Sequence, residues 1–486
     1  MPLILAADIG TTATKAGVVD LAGRVVAHAE EPNPVRHPEP GAAEHDPGQL
    51  WRTLTRLSRR VVRGRADRVK AVVLTGYQLG LLPLDGSQRP IGGVITLLDM
   101  RSAETFPELE RRCDPRALYR RTGCPPFAPY PLAKVWWLRH RRPALFRRAR
   151  WLVGGKDWLL LRMTGRLATE ASLSSATWML NIRTGDWDPM ALRLAGVAKG
   201  RMPEVIPPFA AMGGLRREAA EEMGLKPGTL VAPGIYDAAA LLVGLGGLEP
   251  GVAAVNFGTT AMMRIVTARP VLDRTMRLQA YALDGKRWLG GSGVNNAGNG
   301  RAWLRGKLGL GSDAELDALA AQVPPGSEGV RFLPYFTGER DPRIGNVAAA
   351  ILGLRERHGP GHLARAQLEG VAYTIRLILD ALRENGVKVK GIRLGGAGAK
   401  SPLWVRIIAD VLGVPVMIPA VAHPSLVGCA AIGHAATGLA RTVDEAARRL
   451  VRSGRRVRPD PRAAAVYARG MAEHRELIGR LYGSMG

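Results

Sequence analysis

A carboxylate that closes an apolar run and is followed at once by Gly-Thr-Thr is an arrangement for handling phosphate. Asp8 has that setting: it interrupts the apolar run Leu3 to Ile9, and Gly10, Thr11 and Thr12 follow. The turn offers backbone N–H groups and two hydroxyls in a small space, and its glycine lets a ligand approach closely. A bare carboxylate there would repel a phosphate. A magnesium ion between the two removes the conflict, because one carboxylate plus phosphate oxygens is an ordinary magnesium site. Lys15 brings positive charge nearby. The pattern returns 248 positions later, where Val252 to Phe257 leads into Gly258, Thr259 and Thr260. Two such turns imply two similar domains holding one metal-bound nucleotide between them.

Two further segments have chemistry. Asp237 follows the turn Pro233-Gly234 and opens an alanine-rich stretch. That position suits an N-cap, and it equally suits a general base facing a cleft. Gly395-Gly396-Ala397-Gly398-Ala399-Lys400-Ser401 joins a short strand to a helix, and its small residues let a flat ring or a phosphate reach the backbone. Neither segment fits a commoner nucleotide motif. No Gly-Lys-Ser/Thr opens a helix after the first strand, and Gly396-x-Gly398 is followed by Ser401, where a dinucleotide fingerprint needs glycine.

The elements that must position these residues are legible from pattern. Leu3–Ile9, Thr14–Val19 and Arg24–Ala29 read as an antiparallel meander, and Val69–Thr75 as a further strand. Asp46 and Pro47 mark a helix start, as do Ser401 and Pro402. Val252–Phe257 and Ala261–Val266 repeat the opening hairpin, Ile392–Leu394 is a short strand, and the segment from Asp444 reads as helical and basic. The glycine-rich stretch Gly244 to Gly251 is the best linker, which predicts domains at 1–245 and 246–486 in an α/β protein.

Bulk properties exclude several classes. No apolar run approaches the ~18 residues of a membrane span, and the N-terminus lacks a basic lead into its apolar run, so a cytoplasmic protein is expected. Three cysteines make neither a disulfide framework nor a zinc spacing. The net charge of +26 comes mostly from arginines scattered along the chain, not one stripe with interleaved aromatics. A solvated basic surface without specific nucleic-acid binding follows.

Together these strings resemble the FGGY carbohydrate kinases, a family that includes xylulokinases, gluconokinases and glycerol kinases. The resemblance spans nearly the whole chain. It is carried by Asp8-Ile9-Gly10-Thr11-Thr12, Thr75-Gly76-Tyr77-Gln78, Leu98-Asp99-Met100-Arg101-Ser102, Lys134-Val135-Trp136-Trp137-Leu138 and Lys156-Asp157-Trp158-Leu159. Its most specific strings are Leu333 to Arg340 and Gly396 to Trp404. It implies an actin-like ATPase fold of two ribonuclease-H-like domains with ATP in the cleft. It implies that Asp237 is the catalytic base and that Asp8 orients magnesium. Gly10, Thr11, Thr12, Lys15, Gly258, Thr259 and Thr260 would meet phosphates. Gly396, Ala397, Gly398 and Lys400 would line the adenosine. Gln78, Leu79, Asp99, Arg101 and Tyr236 would stand with Asp237 at the acceptor.

One departure bears on the substrate. Where xylulokinases carry Gln-Met-His and glycerol kinases Gln-Arg-Glu, this chain has Gln78-Leu79-Gly80. Side chains that would grip hydroxyls are replaced by an apolar one and by none. His423-Pro424-Ser425 also departs from the acidic residue common in that loop, and a structural ion pair is the other reading of Asp99 and Arg101. The expected activity is ATP-dependent phosphorylation of a sugar or polyol, xylulose-like first, with gluconate, glycerol or erythritol open. A nucleotide-gated binding protein with little turnover is the rival, and the sequence leaves a homodimer open.

Overall fold

The computed structural model describes residues 1–339 and 347–483; Arg340 lies outside them. Two mixed sheets organise the chain. The first runs, edge to edge, Val25–Pro32, Ala13–Asp20, Leu3–Ile9, Val69–Gly76, Leu230–Ala232 and Gly213–Gly214. The second runs Gln279–Ala282, Trp288–Val294, Ala261–Thr267, Val252–Phe257, Gly391–Gly395, Val416–Ile418 and Arg455–Val457. Apart from the extra strand Gln279–Ala282, the two have the same order and the same directions. In each, a Gly-Thr-Thr hairpin pairs antiparallel, its first strand pairs parallel with a later strand, and that strand pairs parallel with the next. An antiparallel edge strand closes each sheet. The repeat glimpsed in two short strings is thus a repeat of topology.

Local sequence explains these elements. Leu3–Ile9 is central and buried on both faces, so it reads as a nearly unbroken apolar run. Val25–Pro32 is an edge strand, and its charged residues face water. Strand ends differ by one or two residues from expectation because pairing sets them, as at Ala13–Asp20. Asp46 caps Pro47–Val62 by accepting from the Gln49 amide at 2.7 Å. Ser401 does the same for Pro402–Leu412, accepting from the Trp404 amide at 3.0 Å. The basic C-terminal stretch is two helices, Val443–Leu450 and Pro461–Tyr482, because Arg455–Val457 intervenes as an edge strand.

The halves differ mainly in one insertion. Between its two parallel strands the first half carries residues 77–229, folded as short helices and two-stranded ribbons, whereas the second carries only 396–415.

They join through equivalent helices, Asp237–Gly244 and Pro424–Ala436, each following the second parallel strand of its sheet. The contact is reciprocal. A Cβ on Gly244 would lie 1.8 Å from the Pro424 carbonyl oxygen, and one on Gly428 would lie 1.9 Å from that of Ala240. Only glycine permits this approach. The helix Pro424–Ala436 packs on Leu3–Ile9 and Val69–Gly76, so chain beyond residue 246 helps to cover the first sheet. Among the described residues, no helix is long and apolar enough to cross a membrane.

Candidate functional site

Both Gly-Thr-Thr turns are tied down through their carbonyls. In the first, the Gly10 amide donates to Ala13 at 3.0 Å, and Asn33 donates from its side chain to the Gly10 carbonyl at 2.6 Å and from its amide to that of Thr12 at 2.8 Å. In the second, the Gly258 amide donates to Thr260 at 2.9 Å, and the Ala297, Gly298 and Asn299 amides donate to the carbonyls of Thr259 and Gly258. Thr12, Thr259 and Thr260 are exposed and Thr11 is half-buried. With the carbonyls turned inward and the glycine amides used within the turns, the threonine hydroxyls and the remaining amides are left to face an anion.

Asp8 and Asp237 are surrounded by protein yet partly accessible, as groups on a cleft floor are. Asp8 sits opposite Lys15 in the hairpin register, and the Ser425 hydroxyl helps to hold its charged form. Burial, and next the charge of Asp237, push its carboxyl up to about 6. Lys15 lowers it and is shared with Glu30 at 3.6 Å. A raised carboxyl beside one lysine and phosphate-binding amides is a donor set that fits magnesium shared with phosphate oxygens.

Asp237 opens its helix and accepts from the Ala238 amide at 2.8 Å. Burial raises its pKa, while the Ala238 N–H and the charges of Arg264 and Lys156 oppose the rise. The backbone before it is fixed from below. Lys156 and Glu170 form a fully buried pair at 2.8 Å. Glu170 also accepts from the Ser172 and Leu173 amides, and the Ser172 hydroxyl accepts from the Tyr236 amide at 3.2 Å. Tyr236 is fully buried, and its hydroxyl accepts from Arg264 Nε at 3.2 Å. It positions its neighbours, and its hydroxyl, which accepts from Arg264, keeps its own proton to donate.

The turn Tyr77–Leu79, expected at the acceptor, is strained. Tyr77 and Leu79 both have positive φ, 60° and 65°, and flank half-buried Gln78. Two anchors hold this shape. The Tyr77 hydroxyl hydrogen-bonds the His45 ring, and the buried Lys134 ammonium donates to the carbonyls of Leu79 at 2.5 Å and Thr96 at 2.7 Å. Burial lowers the Lys134 pKa to about 7. Leu79 packs in the core and presents no polar group.

Asp99 and Arg101, expected among acceptor ligands, bond within the protein. Asp99 accepts from the Ala43 amide at 2.9 Å, and Arg101 pairs with Asp99 at 2.6 Å, Glu39 at 2.7 Å and Glu44 at 2.5 Å. The guanidinium also lies 4.6 Å from the Trp137 ring centre. This is the structural ion pair, enlarged to a network that leaves no free end for an acceptor hydroxyl.

The glycine-rich turn abuts the second hairpin. Gly396 has φ of 90°, and a Cβ there would lie 2.5 Å from the Phe257 carbonyl oxygen. Gly398 lies on the Phe257 ring, and Gly396, Ala397 and Lys400 are exposed beside it. Among the described residues, one cluster of three metal-type ligands exists elsewhere, Glu328, His358 and His362. Both imidazoles accept backbone N–H groups at Nδ1, which leaves the proton on Nε2, the atom a metal would need.

Sequence reasoning assigned no role to Arg264, Ser425 or the Lys156–Glu170 pair. Arg264 had a signal: it is the lone charge in the apolar strand Ala261–Thr267.

Comparison with known proteins follows this geometry. Residues 3–244 match the N-terminal domain of the FGGY family of carbohydrate kinases and residues 253–437 match its C-terminal domain. The chain is 29% identical to a gluconokinase of Bacillus subtilis, covering 90% of this chain and 88% of that one. It is 31% identical to a xylulose kinase of Escherichia coli (84% of each) and 33% identical to a glycerol kinase of Alkalilimnicola ehrlichii (92% and 93%). The structure superposes on a gluconate kinase from Lactobacillus acidophilus with a TM-score of 0.95 at 25% identity, covering 100% and 99% of the two chains. A xylulose kinase from the same organism gives 0.94 at 25%, covering 100% of both.

Proposed function

The chain belongs to the FGGY family of carbohydrate kinases, which phosphorylate a sugar or polyol with ATP, and we propose that here Asp237 is the general base and the two Gly-Thr-Thr hairpins hold magnesium ATP. One observation carries this reading. Asp237 stands electrostatically between the hairpins: its charge acts on Asp8 in the first, and Arg264 in the second acts on it. A carboxylate that belongs to neither hairpin but senses both supports the reading that an acceptor hydroxyl meets the γ-phosphate there.

The chemistry follows from these groups. The acceptor oxygen forms a bond to the γ-phosphorus, the bond from that phosphorus to the β,γ-bridging oxygen breaks, and the hydroxyl proton passes to Asp237. Such general-base help supplies typically about 10²–10⁴-fold. Thr11, Thr12, Thr259 and Thr260 orient the phosphates, and Lys15 balances their charge. A magnesium ion at Asp8 would neutralise charge developing on the phosphates. The turn Gly396 to Lys400 would carry the adenosine beside the second hairpin. The domains at 1–245 and 246–486 would close over the acceptor and exclude water, which otherwise competes for the phosphoryl group.

The relatives' names divide among gluconate, xylulose and glycerol, so the first expectation of a xylulose-like ketose stands level with the others. Leu79, which gives the acceptor no polar contact, favours the rival reading of a nucleotide-gated binding protein. Coupled ADP release over sugars, polyols and sugar acids separates the two. Turnover that disappears in Asp237→Ala supports the kinase; nucleotide binding without turnover on the whole panel supports the rival.

A further inference from the structure

We propose that the acceptor carries a carboxylate, as an aldonic acid does, and that Arg264 binds it. The inference deepens the kinase reading above and rests on it.

Arg264 is 1% exposed. Its Nε donates to the Tyr236 hydroxyl at 3.2 Å, one Nη donates to Gln279, and the guanidinium lies 5.2 Å from the Tyr281 ring centre. Its other nitrogen, Nη1, is buried and has no hydrogen-bond partner. No Asp or Glu among the described residues lies within 4.0 Å of it. The other two fully buried arginines are different. Arg301 pairs with Asp317 at 2.6 Å and Arg365 with Glu369 at 2.9 Å. A buried cation without a counter-ion is unfavourable. Arg264 therefore keeps an unused donor at Nη1, and the carboxylate that its charge reaches, Asp237, acts on it only at longer range.

The surroundings place that anion on the acceptor. Arg264, Gly291 and Gln279 lie in register across three neighbouring strands. Gly291 has φ of 142°, and a Cβ there would lie 2.0 Å from the Met263 carbonyl oxygen, so the middle strand presents no side chain between the guanidinium and Gln279. Gln279 in turn lines a cavity of about 640 Å³ together with Ser292, Asn295 and Phe127. That volume suits a small polar ligand. Glu339, also on its wall, is turned to the Asn295 and Asn296 amides at 2.7 and 3.3 Å. The charge of Arg264 also acts on Asp237, so the guanidinium lies within electrostatic reach of the proposed base. A neutral polyol would leave the guanidinium unpaired. A carboxylate would give it one charge-assisted hydrogen bond.

The test compares an aldonate with the alditol of the same carbon number and configuration, in coupled ADP release. The proposal expects the wild-type kcat/KM to favour the aldonate by roughly 10–100-fold, the range for one hydrogen bond to a charged group. In Arg264→Met both acceptors lose rate, but the aldonate loses far more kcat/KM than the alditol, through a higher aldonate KM, so the preference disappears; Arg264→Lys keeps part of it. Equal losses on both acceptors would mean that Arg264 serves Asp237 instead, and would overturn the proposal. So would a wild-type enzyme that prefers neutral polyols or ketoses, a result that leaves the kinase reading intact if turnover still requires Asp237. No turnover on any acceptor would sink both. If Arg264→Met does not fold, thermal shifts of the wild-type protein decide: stabilisation by the aldonate and not by the alditol supports the proposal, and the reverse overturns it.

Discussion

The two halves start from one plan and put it to different uses. In both, the strand parallel to the hairpin ends in a glycine pressed on the same carbonyl: a Cβ on Gly76 would lie 2.3 Å from the Ile9 oxygen, and one on Gly396 would lie 2.5 Å from that of Phe257. Beyond this shared corner they diverge. The first half continues into the strained turn Tyr77–Leu79 and a long insertion, the acceptor side. The second turns at once through Ala397–Lys400, an open ledge suited to adenosine. The hairpins differ by one atom type at a matching position, Asp8 against Asn256. The carboxylate side would hold the metal, and the amide side would hold phosphate alone. On the proposed reading, the shared scaffold sets where phosphate would go, and small local changes assign the partners.

Five substitutions and one titration probe this asymmetry. The largest effect is expected at Asp237, which has no counterpart carboxylate in the second half. Asp237→Asn should lower kcat by roughly 10²–10⁴-fold while nucleotide affinity by calorimetry stays near wild type. A loss confined to nucleotide affinity would break the comparison.

Asp8→Asn makes the two hairpins alike. Apparent magnesium affinity should fall about 10–100-fold, as for loss of an oriented metal partner. The same variant should melt at a higher temperature near neutral pH. The folded carboxyl, at about 6, holds its proton more tightly than the unfolded chain, near 3.8, so it costs stability as pH rises from about 4 to about 6 and above. A lower melting temperature would contradict that account.

Gly244→Ala and Gly428→Ala test the reciprocal crossing. Each puts a methyl group into a backbone carbonyl, and overpacking of this kind costs about 1–3 kcal/mol. If the crossing is symmetric, the two losses match in denaturant titrations. Lys134→Met frees the carbonyls of Leu79 and Thr96, and should raise the acceptor KM about tenfold, near 1.4 kcal/mol, with the ATP KM unchanged.

The smallest effect is a titration. The wild-type rate should fall on the acid side through about pH 6, as Asp8 gains its proton. Without the charge at 237, the midpoint for magnesium–nucleotide binding by Asp237→Asn should move to lower pH. No movement would mean that the two carboxylates are not coupled.

The two Gly-Thr-Thr turns proposed to hold phosphate were legible before folding. Asp8 with Gly10-Thr11-Thr12, and its echo at Gly258-Thr259-Thr260, are contiguous strings whose local geometry follows from glycine and hydrogen-bonding side chains. The caps Asp46 and Ser401 were equally plain, since a cap acts on amides two or three residues away. The acceptor side was harder. Asp99 and Arg101 look like ligands in sequence, and only the approach of Glu39, Glu44 and the Ala43 amide occupies them. Tyr236 has a hydroxyl suited to a sugar, and only folding shows that it also accepts from Arg264.

By itself the sequence determined the two apolar hairpins, the helix starts and the glycine-rich turns, because each depends on residues a few positions apart. Tertiary structure alone decided that Asp8 and Asp237 feel each other, that Ser425 reaches Asp8, and that Arg264 is buried without a counter-ion. These pairings join positions hundreds of residues apart. Electrostatic energy depends on distance and burial in space, and neither can be read along a chain.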